Sequence, residues 1–222
     1  MILICEKLKG VDFDVDRLRY YLLENVIPKY TPVMQGPAFG GWSILSRTGT
    51  YVDGWQQGHT CWKTVDGKLV FDRELAKEIG VVADHEHKNP TEICSGYLGE
   101  VMERLTDLKF FPRRARISVL RPGGRTDWHR DAKPDVYAVR LHIPIITNPH
   151  CEFLTEDEGS VHMPADGSAY LVRVNRLHQA VNLGDADRYH LITQAWDVGH
   201  RSDHYRYSPT PDDIKRMRGQ SL

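Results

Sequence analysis

The sequence predicts a mainly β, α+β protein: a double-stranded β-helix, or jelly-roll barrel, buttressed by N-terminal helices. Two observations carry this. From about Arg114 onward, seven short apolar runs recur at an even rhythm, each divided from the next by turn residues. Upstream, two stretches repeat apolar residues at helical spacing. No internal repeat, low-complexity tract or apolar run of about 18 residues argues for another architecture.

The first helix is expected from Asp14, a side-chain cap, through Val15, Leu18, Leu22 and Val26, with Pro28 stopping it. Gly40, Gly41, Gly49, Gly54 and Gly58 then interleave with Trp42, Tyr51, Trp55 and Trp62. Strands with tight turns account for that texture, and a wall covering a substrate is the second option. A second helix is expected with Asn89 as cap, Pro90 in the first turn and Glu92 three residues on, followed by the stripe Ile93, Tyr97, Val101, Leu105 and Leu108. Strands are then expected over 115–120, 136–146, 151–154, 160–163, 168–174, 178–182 and 189–198. Pro122-Gly123-Gly124, Asn148-Pro149, Ala165-Asp166-Gly167 and Gly184-Asp185 supply the breaks. Residues 1–200 read as one domain, in which an N-terminal region (residues 1–113) precedes a core barrel (residues 114–198). Residues 201–222 read as a polar appendage, with a short helix over 211–218 closed by Gly219.

A net charge of -1 gives no electrostatic reason to expect nucleic acid or an anionic membrane as partner. The first residues, Met1 to Lys7, show no basic start, long apolar segment or small-residue cleavage site, so a cytoplasmic protein is expected. Cys5, Cys61, Cys94 and Cys151 form no C-x-x-C pair; reduced thiols are expected rather than a zinc site or disulfide framework.

The chemistry concentrates in Trp128-His129-Arg130-Asp131, answered downstream by His178. Two imidazoles and one carboxylate can grip one face of a divalent metal and leave three positions open, an arrangement suited to non-haem iron. On a strand, residues i and i+2 share a face, so His129 and Asp131 can reach one ion. In 136–146 one face carries Tyr137, Val139, Leu141, Ile143 and Ile145, and the other Ala138, Arg140 and His142. In 188–196, Arg188, His190, Gln194 and Trp196 share a face. These basic faces point either to solvent, as on a half-exposed antiparallel sheet, or into a cavity. The metal triad favours the cavity, because His129 and His178 need the same one; a buried arginine and histidine there need an anion to meet them. A dicarboxylate would do so, one end chelating the metal and the other in an arginine fork.

From Arg114 to Val198 the chain resembles the aspartyl/asparaginyl β-hydroxylase family of Fe(II)- and 2-oxoglutarate-dependent dioxygenases. The residues that carry this are Arg116-Ile117-Ser118, Pro122-Gly123, Trp128-His129-Arg130-Asp131, Arg140-Leu141-His142, His178 and Arg188-Tyr189-His190-Leu191. The resemblance implies His129, Asp131 and His178 as iron ligands. It implies Arg188 with Ser118 as the anchor for the distal carboxylate of 2-oxoglutarate, and Arg140 with His142 as the pair holding the cosubstrate near the metal. It further implies dioxygen as co-reactant and release of succinate and CO2. The substrate is then an amino acid, free or in a peptide. The acidic ligand Asp131 favours hydroxylation over halogenation.

Other readings stand beside this one. Asn175 and Asn182 flank His178, and either orients a ligand or serves as a turn residue. Asp84-His85-Glu86-His87 reads as a solvated charged turn rather than a second metal site. His129-Arg130-Asp131 also starts a protein-kinase catalytic loop, but Val136 stands where that loop needs asparagine. A metal-free cupin-like binding module or isomerase would share the barrel without needing the triad. A metal-dependent hydrolase could use similar ligands but would not need the arginine anchor.

Overall fold

Alternation along one central strand explains the layout. In the computed structural model, which describes residues 4–55, 62–66, 68–78, 84–131, 138–156 and 159–194, residues Val139, Leu141, Ile143 and Ile145 are buried on one face. Arg140 and His142 occupy the opposite face. The helix expected over 211–218 and the strand ends at 136–137 and 195–198 lie outside the described residues.

The N-terminal half comprises β1 (Cys5–Asp12), α1 (Val15–Tyr21) continued by a π turn (Leu22–Val26), β2 (Val33–Met34), β3 (Phe39–Ser43) and β4 (Leu45–Ser46). The hairpin β5 (Trp62–Val65) and β6 (Lys68–Phe71) follows, then α2 (Arg73–Glu78), a 3-10 turn (Asp84–Glu86), β7 (Asn89–Pro90) and α3 (Gly96–Asp107). The C-terminal half supplies β8 (Arg113–Leu120), β9 (Val139–Ile146), β10 (Cys151–Thr155), β11 (Gly159–Val161), β12 (Ser168–Arg173), β13 (His178–Asn182) and β14 (Arg188–Gln194). All seven strands read from the sequence in this half are present.

The strands form a seven-stranded antiparallel sheet, ordered β1-β12-β9-β14-β8-β3-β2, and a three-stranded sheet, β11-β10-β13. This is the jelly-roll architecture. The outer face of the large sheet (Ile117, Val119, Leu141, Ile143, Leu171, Leu191) packs in one core with Leu18, Leu22, Val26, Leu98, Val101 and Leu105 of the helical layer. Each fully buried aliphatic side chain there contributes about 1.5–3 kcal/mol, so the helices clamp the sheet from outside. A smaller cluster, Phe153 with Met163, Tyr170, Val172 and Val174, joins the two sheets on the inside.

Asp14 caps α1 as expected, its Oδ1 accepting from Arg17 N at 3.0 Å. The expected start of the second helix is corrected. Asn89 and Pro90 pair as a short strand with Ser46 and Leu45, and α3 begins at Gly96. Tertiary bonds override the capping pattern: Asn89 Nδ2 donates to Arg47 O, and Glu92 Oε2 accepts from Tyr51 N at 2.8 Å. β1 is an unanticipated edge strand, because only Leu8 and Val11 within it are well buried. No described helix is long and apolar enough to cross a membrane. Cys5, Cys94 and Cys151 are free thiols, and Cys61 lies outside the described residues.

Candidate active site

His178 opens β13, and His129 faces it backbone to backbone. His129 N donates to His178 O at 3.0 Å, and His178 N to His129 O at 2.9 Å. The segment 124–131 is therefore not a regular strand but a bent one laid along β13. Thr126 N donates to Ala180 O, Asn182 N to Gly124 O, and Asp131 N to Val174 O. The pairing brings the two imidazoles together, with ring centroids 4.3 Å apart.

Each ring is oriented by the carbonyl two residues before it. His129 Nδ1 lies 2.7 Å from Asp127 O, and His178 Nδ1 lies 2.8 Å from Arg176 O. A carbonyl only accepts, so each Nδ1 carries a proton, and the neutral form of each ring has its lone pair on Nε2. Both lone pairs meet one carboxylate: His129 Nε2 is 3.8 Å from Asp131 Oδ1, and His178 Nε2 is 3.9 Å from Oδ2. The ligand atoms of the three residues all lie within 4.8 Å of one another, so they can share a metal ion. No other such group occurs among the described residues.

Electrostatics keep the donor set ready. Burial pushes the Asp131 carboxyl up, but the Arg140 guanidinium outweighs it and holds the group well below the usual range. Arg140 Nε lies 3.0 Å from Asp131 Oδ2; this is a charge contact rather than a directed hydrogen bond, since the N–H is not aligned with the oxygen. Burial lowers the His178 imidazole to about 4, against an opposing pull from Asp131.

The inward face of the large sheet adjoins the triad. Ser118 of β8 sits across from His190 of β14, while Arg116, Ile192, His142 and Tyr170 form the next row across β8, β14, β9 and β12. Arg188, 4% exposed, donates from Nη2 to His190 Nδ1 at 2.7 Å, which leaves the His190 proton on Nε2. That Nε2, Ser118 Oγ and His142 Nδ1 are buried without a partner. Three such atoms in one place cost about 1–3 kcal/mol each unless a ligand meets them. Rings link this pocket to the triad: His142 lies edge-on to His190 at 5.9 Å and to Phe153 at 6.3 Å, and Phe153 stacks on His178 at 4.9 Å. Burial and the neighbouring arginine push His142 and His190 well below the usual imidazole range, so both are neutral. Arg188 is itself lowered to about 10 by burial.

A family model described as aspartyl/asparaginyl β-hydroxylase matches residues 53–198, well over half of the chain. The chain belongs to the aspartyl/asparaginyl β-hydroxylase family. It is a hydroxylase, and the cofactors of its reaction are Fe(II) and 2-oxoglutarate; the His-Asp-His set is a group that can hold a metal ion. No curated protein matches it. Among solved structures, a 2OG-Fe(II) oxygenase-family oxidoreductase from Burkholderia pseudomallei is 16% identical, with TM-score 0.46, covering 92% of this chain and 86% of its own. A Pseudomonas putida prolyl-4-hydroxylase is 11% identical, with TM-score 0.43 and coverages of 87% and 92%. A viral collagen prolyl hydroxylase from Paramecium Bursaria Chlorella virus-1 is 12% identical, with TM-score 0.39 and coverages of 86% and 97%. The family assignment rests on the matched sequence and not on these likenesses.

All seven site residues read from the hydroxylase sequence lie on this one inward surface: His129, Asp131 and His178 together, Ser118, His142 and Arg188 in the adjoining pocket, and Arg140 between. The basic faces of β9 and β14 point inward rather than to solvent. One expectation is corrected in part, and one open alternative narrows. The turn at Asp84 is solvated only in part: Glu86 is exposed, but Arg114 Nη1 meets Asp84 Oδ1 at 2.6 Å, Gln194 Nε2 donates to Oδ2, and His87 is buried. Neither asparagine takes the place of the Arg176 carbonyl that orients His178. Asn182 instead donates to Leu120 O and Ala186 O, and Asn175 accepts from Arg173 Nε. Sequence reasoning assigned no individual role to Arg116, Trp55, Asp84 or His190. For Arg116 and His190 the available signal was their position, two residues from Ser118 and Arg188 on the same strand face.

Proposed function

We propose that this hydroxylase holds Fe(II) with His129, Asp131 and His178 and takes 2-oxoglutarate into the pocket of Ser118, Arg140, His142 and Arg188. It hydroxylates an unactivated C–H bond of an amino acid or amino-acid residue, of the aspartyl or asparaginyl type that the family's name describes. The observation that carries this is the pair of Nε2 lone pairs turned on one carboxylate, beside a pocket whose buried donors lack acceptors. Iron and 2-oxoglutarate, once bound there, would supply the oxidising chemistry with dioxygen as oxidant: one oxygen atom ends in succinate as CO2 leaves, and the other in the new hydroxyl group.

The residues position, neutralise and exclude. Arg188 offers a planar fork to the distal carboxylate, and the Ser118 hydroxyl adds a donor beside it. Neutral His142 offers a hydrogen bond without adding charge. Arg140, braced on Asp131, stands where the metal-proximal end of the cosubstrate must lie. Phe153 and the buried rings keep water from the reacting side. Residues 1–200 act as a single catalytic domain, with 201–222 as an appendage, and the free thiols agree with a reducing cytoplasm. A metal-free cupin-like module or isomerase would have no use for two imidazoles aimed at one carboxylate.

The test is anaerobic addition of Fe(II) and then 2-oxoglutarate to the whole protein. A visible charge-transfer band is expected, absent in His178→Ala and much weakened in Arg188→Ala. Wild-type protein that gives no band and forms no succinate would end the iron and cosubstrate reading.

A further inference from the structure

The charges beside the metal triad do not pair off. Arg116 lies within electrostatic reach of two further guanidinium groups, Arg114 and Arg140, and of two carboxylates, Asp84 and Asp131. Asp84 takes Arg114 at 2.6 Å, and Asp131 takes Arg140 at 3.0 Å. Arg116 is the cation left over. Among the described residues it makes no hydrogen bond or ion pair, and its Nε is buried without a partner. Iron and cosubstrate do not remove the surplus, because their opposite double charges offset one another and Arg188 adds a further cation.

Arg116 leaves β8 on the same face as Ser118 and stands in the row that leads to His142. Its guanidinium carbon lies 4.9 Å from the ring centroid of Trp55. That indole is 3% exposed and set edge-on to Phe39, and Gln35 Nε2 donates to its main-chain carbonyl. Its own Nε1 is a second buried donor with no acceptor. The backbone makes room for it at Gly41, where a Cβ would stand 2.8 Å from the indole and 1.9 Å from Ile117 O, at φ +150°. Two stacked side chains thus present donors and no acceptor. A half-buried guanidinium pressed by two like charges, its Nε out of water, is suited to an anion supplied from outside.

Building on the iron and cosubstrate reading above, we propose that the substrate bears a carboxylate, which Arg116 binds against the Trp55 ring. A monoanion matches the single unpaired guanidinium, whereas a phosphate dianion would face Asp84 and Asp131 as well. The carboxylate belongs to a free amino acid or to an acidic side chain within a peptide. The fork-shaped guanidinium suits either.

The Fe(II)-loaded full-length enzyme with 2-oxoglutarate is offered the free L-amino acids, their α-carboxamides, and N-acetylated aspartyl and asparaginyl amides, and succinate release is followed. Stimulation is expected only from compounds with a carboxylate: free acids over carboxamides if the α-carboxylate binds, the capped aspartyl over the capped asparaginyl amide if a side chain does. Arg116→Gln should raise KM for that compound roughly tenfold to a hundredfold, with partial recovery in Arg116→Lys. The charge-transfer band of Arg116→Gln with 2-oxoglutarate should keep its midpoint within about twofold of wild type. Amides that stimulate as well as acids, no stimulation by any carboxylate, or a KM unmoved by Arg116→Gln overturns the subsite. The acid–amide comparison needs only wild-type protein, so a misfolded variant does not spare the proposal. A missing wild-type band is a separate failure, which removes the iron reading and the subsite with it.

Discussion

Replacing His190 separates two tasks that one imidazole performs. Its Nδ1 accepts from Arg188 Nη2 at 2.7 Å, and its Nε2–H points into the pocket without a partner. Asparagine keeps an acceptor near the Nδ1 position, glutamine reaches a donor near Nε2, and leucine keeps neither. A hydrogen bond from a charged donor contributes about 1.5–3 kcal/mol, which is roughly a tenfold to hundredfold change in affinity if Arg188 is left free to swing. His190→Leu is therefore expected to weaken 2-oxoglutarate binding by that factor, measured as the midpoint of the anaerobic Fe(II) charge-transfer titration. Because aiming the charged guanidinium is the larger share, His190→Asn should recover more of the affinity than His190→Gln. Urea unfolding supplies the control: the buried Arg188 N–H left unmade should lower the stability of His190→Leu by about 1–3 kcal/mol. Wild-type affinity in His190→Leu, or a glutamine variant that outperforms asparagine, refutes the reasoning.

Asp131→Gly removes a ligand and frees Arg140, so it should weaken metal binding by more than the roughly 10–100-fold that loss of an outer hydrogen-bond partner costs, as read by calorimetry with Zn(II) or Fe(II). His142, His178 and His190 are held neutral when folded but take up protons when unfolded, from their ordinary value of 6.5 downward. The unfolded state then holds more protons, so the metal-free protein should lose stability as pH falls. The expected slope is about 1.4 kcal/mol per pH unit for each histidine. For His178 this window closes at about 4. A urea midpoint that stays flat between about pH 7.5 and 5.5 would count against the buried-histidine account. Gly41→Ala should cost about 3 kcal/mol or more in thermal or urea unfolding, because the Ile117 carbonyl cannot give way to a Cβ.

The barrel was legible because its strands alternate cleanly: Leu141, Ile143 and Ile145 against Arg140 and His142 is a period that only one sheet face can satisfy. That His129, Asp131 and His178 come together was legible because they stand in order with the arginine and serine segments around them, H-x-D alone being too common to mark a site, although their scaffold is a bent segment on β13 rather than a strand. What local pattern hid was decided by distant partners. Asn89, Pro90 and Glu92 spell a helix start, yet Arg47, Tyr51 and the β4 backbone claim them first. Trp42 and Trp55 look alike in the sequence, but Trp42 donates to Tyr30 O in the core while Trp55 covers Arg116. Asp84 sits in a run of charges that reads as solvent-facing until Arg114, 30 residues away, closes on it.

The reciprocal main-chain bonds between His129 and His178 would make an ion held by the triad a zip fastener for its own housing. Whatever grips both side chains also cinches the seam between the 124–131 segment and β13, so loading and seam closure belong to one equilibrium. By mass action, an ion at a hundred times its dissociation constant would hold that seam shut by about 2.7 kcal/mol more than the empty protein can. Slower deuterium uptake at the amides of residues 126, 129, 131 and 178 should therefore report occupancy in a sample that is turning over nothing at all.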